Sequence, residues 1–310
     1  MFKNLKIKKI KFYSKISSLI FFLERTIIKS VYRLFNLHPS SEPFLSGDTF
    51  RKISTYQYKG DTLKIFKPEI IFMNTHVLSE LYEQINLINH PFILISHHSD
   101  HLVDRKFLSI ANNSNLIHWY AQNCIIKHKK ISNIPIGLED RWRHNNGIIR
   151  DFVNLRNKKL NKIPRILYGF HIRNNPSVRK KAHQILSSLS TADHYRNNPR
   201  KYRKKLAKYH FVACPEGNGI DTHRMWEALY LNVIPIIVVK NGNFLFQNLP
   251  VLKLNKWEEL AKYSETDLSL IYQKNQHKFK HIKFLWIDYW KKHINKKFNK
   301  YKDKSIKNLI

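Results

Sequence analysis

From Glu69 onward, short apolar runs alternate with stretches whose apolar residues recur at helical spacing. Runs at Glu69–Met73, Phe92–Ser96, Leu116–Tyr120 and Ile131–Ile136 read as strands, with helical patterns near Leu78–Ile88, Asp104–Ala111 and Ile148–Leu155. After the polar stretch Asn157–Lys162 the alternation resumes: a strand at Arg165–Phe170, helices over Ser177–Leu189 and Pro199–Lys208, a strand at His210–Cys214, a helix over Asp221–Leu231 and a strand at Ile234–Val239. Such alternation predicts an α/β fold with mainly parallel sheets, here as two halves around a linker near residue 160. Both ends depart from this rhythm. Lys11–Leu37 places Ile16, Ile20, Phe21, Ile27, Ile28, Val31 and Phe35 at helical spacing behind a crowd of lysines, and beyond Trp257 the pattern turns helical to the end.

Composition narrows the class. With 43% apolar and 13% aromatic residues, 11 Pro and 8 Gly, the chain is an ordered globular protein rather than a disordered or collagen-like one. The 55 Lys and Arg against 22 Asp and Glu give a net charge of +33, which raises nucleic acid, an anionic membrane surface or an anionic substrate as partners. Most of the cations are lysines spread from Lys3 to Lys307, as an AT-rich coding bias would produce, and no nucleic-acid-binding motif accompanies them. A specific nucleic-acid partner is therefore not expected. The basic first segment, residues 1–40, fits either adsorption to an anionic bilayer or a core-packed helix with a solvated lysine face. Its apolar run Ile16–Leu23 is too short to span a bilayer and lacks a small-residue cleavage site. With only Cys124 and Cys214, the expected location is the cytoplasm, and the adsorbing alternative for residues 1–40 would place the chain at the cytoplasmic face of a membrane.

The most informative segment is Phe211–Val239, FVACPEGNGIDTHRMWEALYLNVIPIIVV. A strand ends at Cys214, a loop carrying Gly217, Asn218 and Gly219 follows, and Asp221 or Thr222 can cap the next helix. Strand, glycine loop and helix make a phosphate-binding arrangement: small residues let backbone N–H groups approach an anion, and the helix start adds partial positive charge. Arg224, one turn inside, can grip a diphosphate with its planar guanidinium, and Glu227 shares its face.

Pro215–Val238, PEGNGIDTHRMWEALYLNVIPIIV, resembles the signature of exostosin-like and related glycosyltransferases, a Pro-x-Gly loop leading to an Arg-x-x-Glu-Ala-Leu helix and a Gly-x-Ile-Pro-Val strand. The resemblance implies a GT-B fold, two Rossmann-like domains facing a cleft. They would be residues 41–160 on the acceptor side and 161–265 on the nucleotide-sugar side, followed by a basic helical region over 266–310. It assigns Arg224 to the diphosphate and Glu227 to the ribose, and implies transfer from a nucleotide-sugar donor to a glycan or lipid-linked acceptor. Asn232 stands where the family has glycine, a substitution that tolerates left-handed backbone. SGDTFR at Ser46–Arg51, FILISHHSDH at Phe92–His101, WYAQN at Trp119–Asn123 and IPIGLED at Ile134–Asp140 resemble blocks of the same group. Arg173 and Arg179, after the first strand of the second half, are candidate cations for the diphosphate.

The cluster His97, His98, Asp100, His101 closes an apolar strand. His97 or Asp100 is placed to deprotonate an acceptor hydroxyl. The same cluster resembles the ligand run of metallo-β-lactamase-like hydrolases, except that Ser96 replaces its first histidine, so a metal-dependent hydrolase is one alternative and a basic nucleic-acid-binding protein driven by the net charge is the other. No Asp-x-Asp box is present, and neither a metal nor another cofactor is expected.

Overall fold

The computed structural model describes residue 27 and residues 30–63, 67, 69–143, 146–239 and 249–307, with side chains through 301. It contains two five-stranded sheets, each wholly parallel. The first runs in sequence order through β1 (Tyr56–Tyr58), β2 (Glu69–Asn74), β3 (Phe92–His97), β4 (Leu116–Ala121) and β5 (Ile131–Asn133). Before β1 lies a short helix, α1 (Gly47–Arg51), capped by the Ser46 hydroxyl accepting from the Thr49 N–H. Between strands lie α2 (Leu78–Gln84) and α3 (Leu108–Asn112).

Alternation along these strands sorts side chains to two faces. Ile71, Met73, Leu94, Trp119 and Ala121 pack with Leu78 and Leu81 of α2 and Ile110 of α3. Ile70, Phe72, Ile93, Ile95 and Tyr120 face the other way and are covered by Ile287, Trp290 and Ile294. Those three belong to α9 (Ile287–Lys307), so the C-terminal helix crosses back to shield the first sheet. Its apolar stripe is core, and Lys292, Lys296 and Lys300 are exposed.

After α4 (Ile149–Arg156) the second sheet comprises β6 (Ile163–Tyr168), β7 (Ala192–His194), β8 (Tyr209–Ala213), β9 (Ile234–Val238) and β10 (Leu252–Leu254), in the order β10-β9-β8-β6-β7. Its helices are α5 (Pro176–Ser188), α6 (Pro199–Leu206), α7 (His223–Tyr230) and α8 (Glu265–Asn275). Here the strand order reverses between β6 and β8: β6 connects outward to β7, whereas β8 lies on the other side of β6 and starts the run in the other direction. Crevices in such sheets open outside the carboxyl ends of the strands that flank the reversal, here β6 and β8. Lys162, in the polar stretch before β6, donates to the carbonyls of Ala207 (2.7 Å) and Leu231 (3.1 Å), and burial pulls its ammonium down to about 7.

Asn232 has φ 54°, and the N–H groups of Asn232 and Val233 bond to the carbonyls of Leu229 and Ala228, a Schellman ending for α7 that asparagine supports in place of glycine. The expected first helix lies largely outside the described residues; positions 30–34 are helical, and Ile27, Val31, Leu34 and Phe35 are exposed. Among the described residues no helix is long and apolar enough to cross a membrane.

Candidate active site

The carboxyl ends of the two sheets face each other across two adjoining cavities. One, of about 480 Å³, lies at the β6/β8 reversal and is lined by Gly169, His171, Arg179, Tyr202, Arg224 and Glu227, among others. The other, of about 470 Å³, lies against the first sheet and is lined by Arg51, His98, Asp140 and Arg143, among others. Asp100, Ile136, Glu139 and His223 line both, forming a common wall.

The second-sheet cavity is cationic. Arg224 donates to the Gly169 carbonyl and the Tyr202 hydroxyl, both at 3.2 Å. Arg179 donates to the carbonyls of Glu216 (2.8 Å) and His171 (2.9 Å). These acceptors are neutral, and among the described residues neither guanidinium pairs with a carboxylate. Burial, reinforced by Arg224, draws Arg179 down to about 10. His171 is lowered by burial and then by the field of Arg196, Arg173, Arg224 and Arg179. Two cations converging on an open cavity, neither held in an ion pair and only Arg224 within the field of Glu227, form an anion site.

The sequence candidates take different places in it. Gly217 and Gly219 serve side-chain approach: a Cβ on Gly217 would lie 2.8 Å from Arg179 Nη2, and one on Gly219 would lie 2.6 Å from Asn123 Nδ2. The Gly217 N–H is taken by the Gly219 carbonyl (3.0 Å) and cannot also hold a ligand. Thr222 is the N-cap position of α7 and makes no side-chain capping bond, leaving its hydroxyl at the cavity wall. Asp221 is buried, its carboxylate accepting from the Ile136 N–H and the Trp226 indole, both at 2.7 Å; it clasps the two halves together, and burial pushes it up to about 6. Asn218 donates to Asp100 across the rim (3.3 Å). Glu227 faces Arg203 at 3.8 Å, and burial raises its carboxyl against the pull of Arg203 and Arg224. Arg173 is exposed and does not line the cavity, contributing only to the field there.

In the first-sheet cavity the histidine cluster divides. His97 is buried with both ring nitrogens engaged: Nδ1 accepts from the His98 N–H (2.7 Å), so Nε2–H donates to the Pro135 carbonyl (3.1 Å). Burial lowers it to about 3, leaving a neutral scaffold residue with no lone pair for an acceptor. His98 turns out of the strand with φ 62°, a left-handed conformation that costs energy for a side-chain-bearing residue. Its ring presses on Gly47, where a Cβ would come within 1.8 Å. Arg51 Nη2 donates to His98 Nδ1 (3.0 Å), so Nε2 carries the proton toward Asp140 (2.9 Å). Asp140 also accepts from the Asp48 N–H (2.8 Å). Burial works to raise Asp140, but the hydrogen bond and charge of His98 prevail and hold it below the usual carboxylate range. Burial and the Asp140 charge push Asp48 up to about 7. His101 and Asp100 are exposed.

One ligand atom each of Asp48, His98 and Asp140 lies within 4.8 Å of the other two, close enough to share a metal ion. The donor set fits a metal poorly. Nε2 is free to ligate only if the proton moves to Nδ1, which faces a guanidinium, and Arg51 already stands 3.5 Å from Asp48. Asp48, Glu139, Asp140 and His223 were not singled out along the chain, although SGDTFR, FILISHHSDH and IPIGLED all converge on this cavity. That convergence is the signal they carried. No family model matches the chain, and no curated protein matches it.

Proposed function

We propose that this chain is a glycosyltransferase of GT-B type, holding a nucleotide sugar in the second-sheet cavity and a glycan or lipid-linked acceptor in the first. The observation that carries the reading is the pair of guanidiniums, Arg179 and Arg224, facing an open cavity at the β6/β8 reversal with neutral partners only. A departing nucleoside diphosphate needs preorganised positive charge at that place, and fixed guanidiniums supply it without reorganisation. Adjoining cavities with a common wall give donor and acceptor a place to meet, as a displacement at the anomeric carbon requires.

Glu227 would hold the ribose hydroxyls, within its pairing to Arg203. No bound cofactor is invoked beyond the nucleotide-sugar co-substrate. The exposed Ile27, Val31, Leu34, Phe35 and Leu37, beside the lysine-rich first segment, support a peripheral position at the cytoplasmic face of an anionic membrane. Incubation with a panel of nucleotide sugars tests the activity: one donor should release its nucleoside diphosphate, faster when membrane glycolipid or glycan extract is added. A panel without any release contradicts it.

A further inference from the structure

Resting on the glycosyl-transfer reading, we propose that His223 is the general base that takes the proton from the acceptor hydroxyl, with Glu139 as its positioning residue. His223 opens α7 and lines both cavities, as does Glu139 at the end of the first half. Its Nδ1 lies 2.8 Å from the Gly137 carbonyl, which can only accept, so Nδ1 holds the hydrogen and Nε2 carries a lone pair. Nε2 faces Glu139 Oε2 at 3.7 Å, beyond hydrogen-bond distance but near enough to stabilise an imidazolium once it forms.

The other histidines fail this requirement: both nitrogens of His97 are bonded, those of His98 face Arg51 and Asp140, and His38 and His76 line only the first cavity and His171 only the second. Asp100 reaches the common wall from the exposed rim, where it accepts from Asn218. A solvated carboxylate is a weak base for an alcohol, whereas an imidazole titrates near neutrality.

The step balances as a single displacement. The acceptor O–H proton passes to His223 Nε2 while the oxygen's electron pair bonds the anomeric carbon. The bond from that carbon to the diphosphate oxygen breaks, and its pair stays on the diphosphate between Arg179 and Arg224. The proton leaves His223 for solvent after product departs. Attack opposite the leaving group inverts the anomeric configuration.

The groups facing His223 are Glu139, Asp140 and His97 from the first half and Asp221 and Glu227 from its own. Burial alone would lower the imidazole, but Glu139 and the Gly137 carbonyl outweigh it and raise it.

The test measures nucleoside-diphosphate release from the active nucleotide sugar, nucleoside-diphosphate affinity and product configuration. His223→Gln should lose roughly 100- to 10,000-fold in kcat with nucleoside-diphosphate affinity unchanged. Glu139→Gln should shift the ascending limb of the kcat–pH profile to lower pH, a displacement that a merely structural residue would not produce. If His223→Gln does not fold, that limb decides. Unchanged kcat in His223→Gln, an unmoved limb in Glu139→Gln, retention of configuration, or loss of turnover in Asp100→Asn alone would overturn the assignment. A wild type that neither binds nucleoside diphosphates nor turns over nucleotide sugars would instead overturn the reading on which the assignment rests.

Discussion

The two cavities are similar in size and opposite in electrostatic state. Against the first sheet, charges answer one another: Arg51 meets His98, His98 meets Asp140, and Asp140 accepts from the Asp48 backbone. Against the second sheet, Arg179 and Arg224 rest on carbonyl and hydroxyl oxygens and await a charge from outside. Groups held against one another in a cluster position themselves, while two guanidiniums without an ion-pair partner bind an anion. The first sheet, with strands in sequence order, lacks the reversal that opens the crevice of the second.

The largest expected effect breaks the first network. Asp140→Ala leaves His98 and the Asp48 N–H without their acceptor, and loss of one partner from a buried ionic cluster costs about 3 to 5 kcal/mol. Denaturant titration should show that loss, with nucleoside-diphosphate affinity of the folded fraction preserved. Next, Arg224→Ala removes a charge-assisted donor from the second cavity and should weaken nucleoside-diphosphate binding roughly 10- to 100-fold in calorimetry, with little change in stability. If Arg224→Ala chiefly unfolds the protein, its role is structural and the contrast between the cavities collapses.

A smaller effect concerns acid. His97 stays neutral in the fold down to about 3, whereas an unfolded histidine titrates near 6.5, so its contribution is intact above 6.5 and lost as pH falls from there toward 3. His97→Gln, which can accept and donate in the same directions, should flatten that acid limb by about one bound proton. Weaker still, deleting residues 1–37 should lower binding to anionic vesicles while leaving the affinity of the second cavity unchanged. Finally, EDTA should leave turnover unchanged; a loss restored by a divalent cation would transfer the first network to metal binding.

Much of the fold was legible in the chain. The apolar runs from Glu69 to Val239 mark the long strands, and the left-handed Asn232 ends α7 where the pattern requires an ending. The three-residue edge strands β1, β7 and β10 were not, because Tyr-Gln-Tyr, Ala-Asp-His and Leu-Lys-Leu are too short to show a period. Periodicity in the last helix declares a buried face without naming the sheet it covers. The site was legible in its second half, where Arg224 and the glycine loop are neighbours in sequence. In its first half, adjacent histidines differ in role only through a backbone turn at His98, and Asp48 and Asp140 meet across 92 positions. Asp221, which reads as a helix cap, is diverted by Ile136 and Trp226, partners that tertiary structure supplies.

Whether the second cavity is built for the diphosphate of a nucleotide sugar is read from calorimetric titration of the wild-type protein with UDP, GDP, CDP and ADP. At least one should bind saturably, with a matching rise in stability of about 2.7 kcal/mol at a hundredfold excess over its dissociation constant, and both should be lost in Arg224→Ala. Absence of binding to all four, or binding that survives Arg224→Ala and Arg179→Ala unchanged, would contradict it.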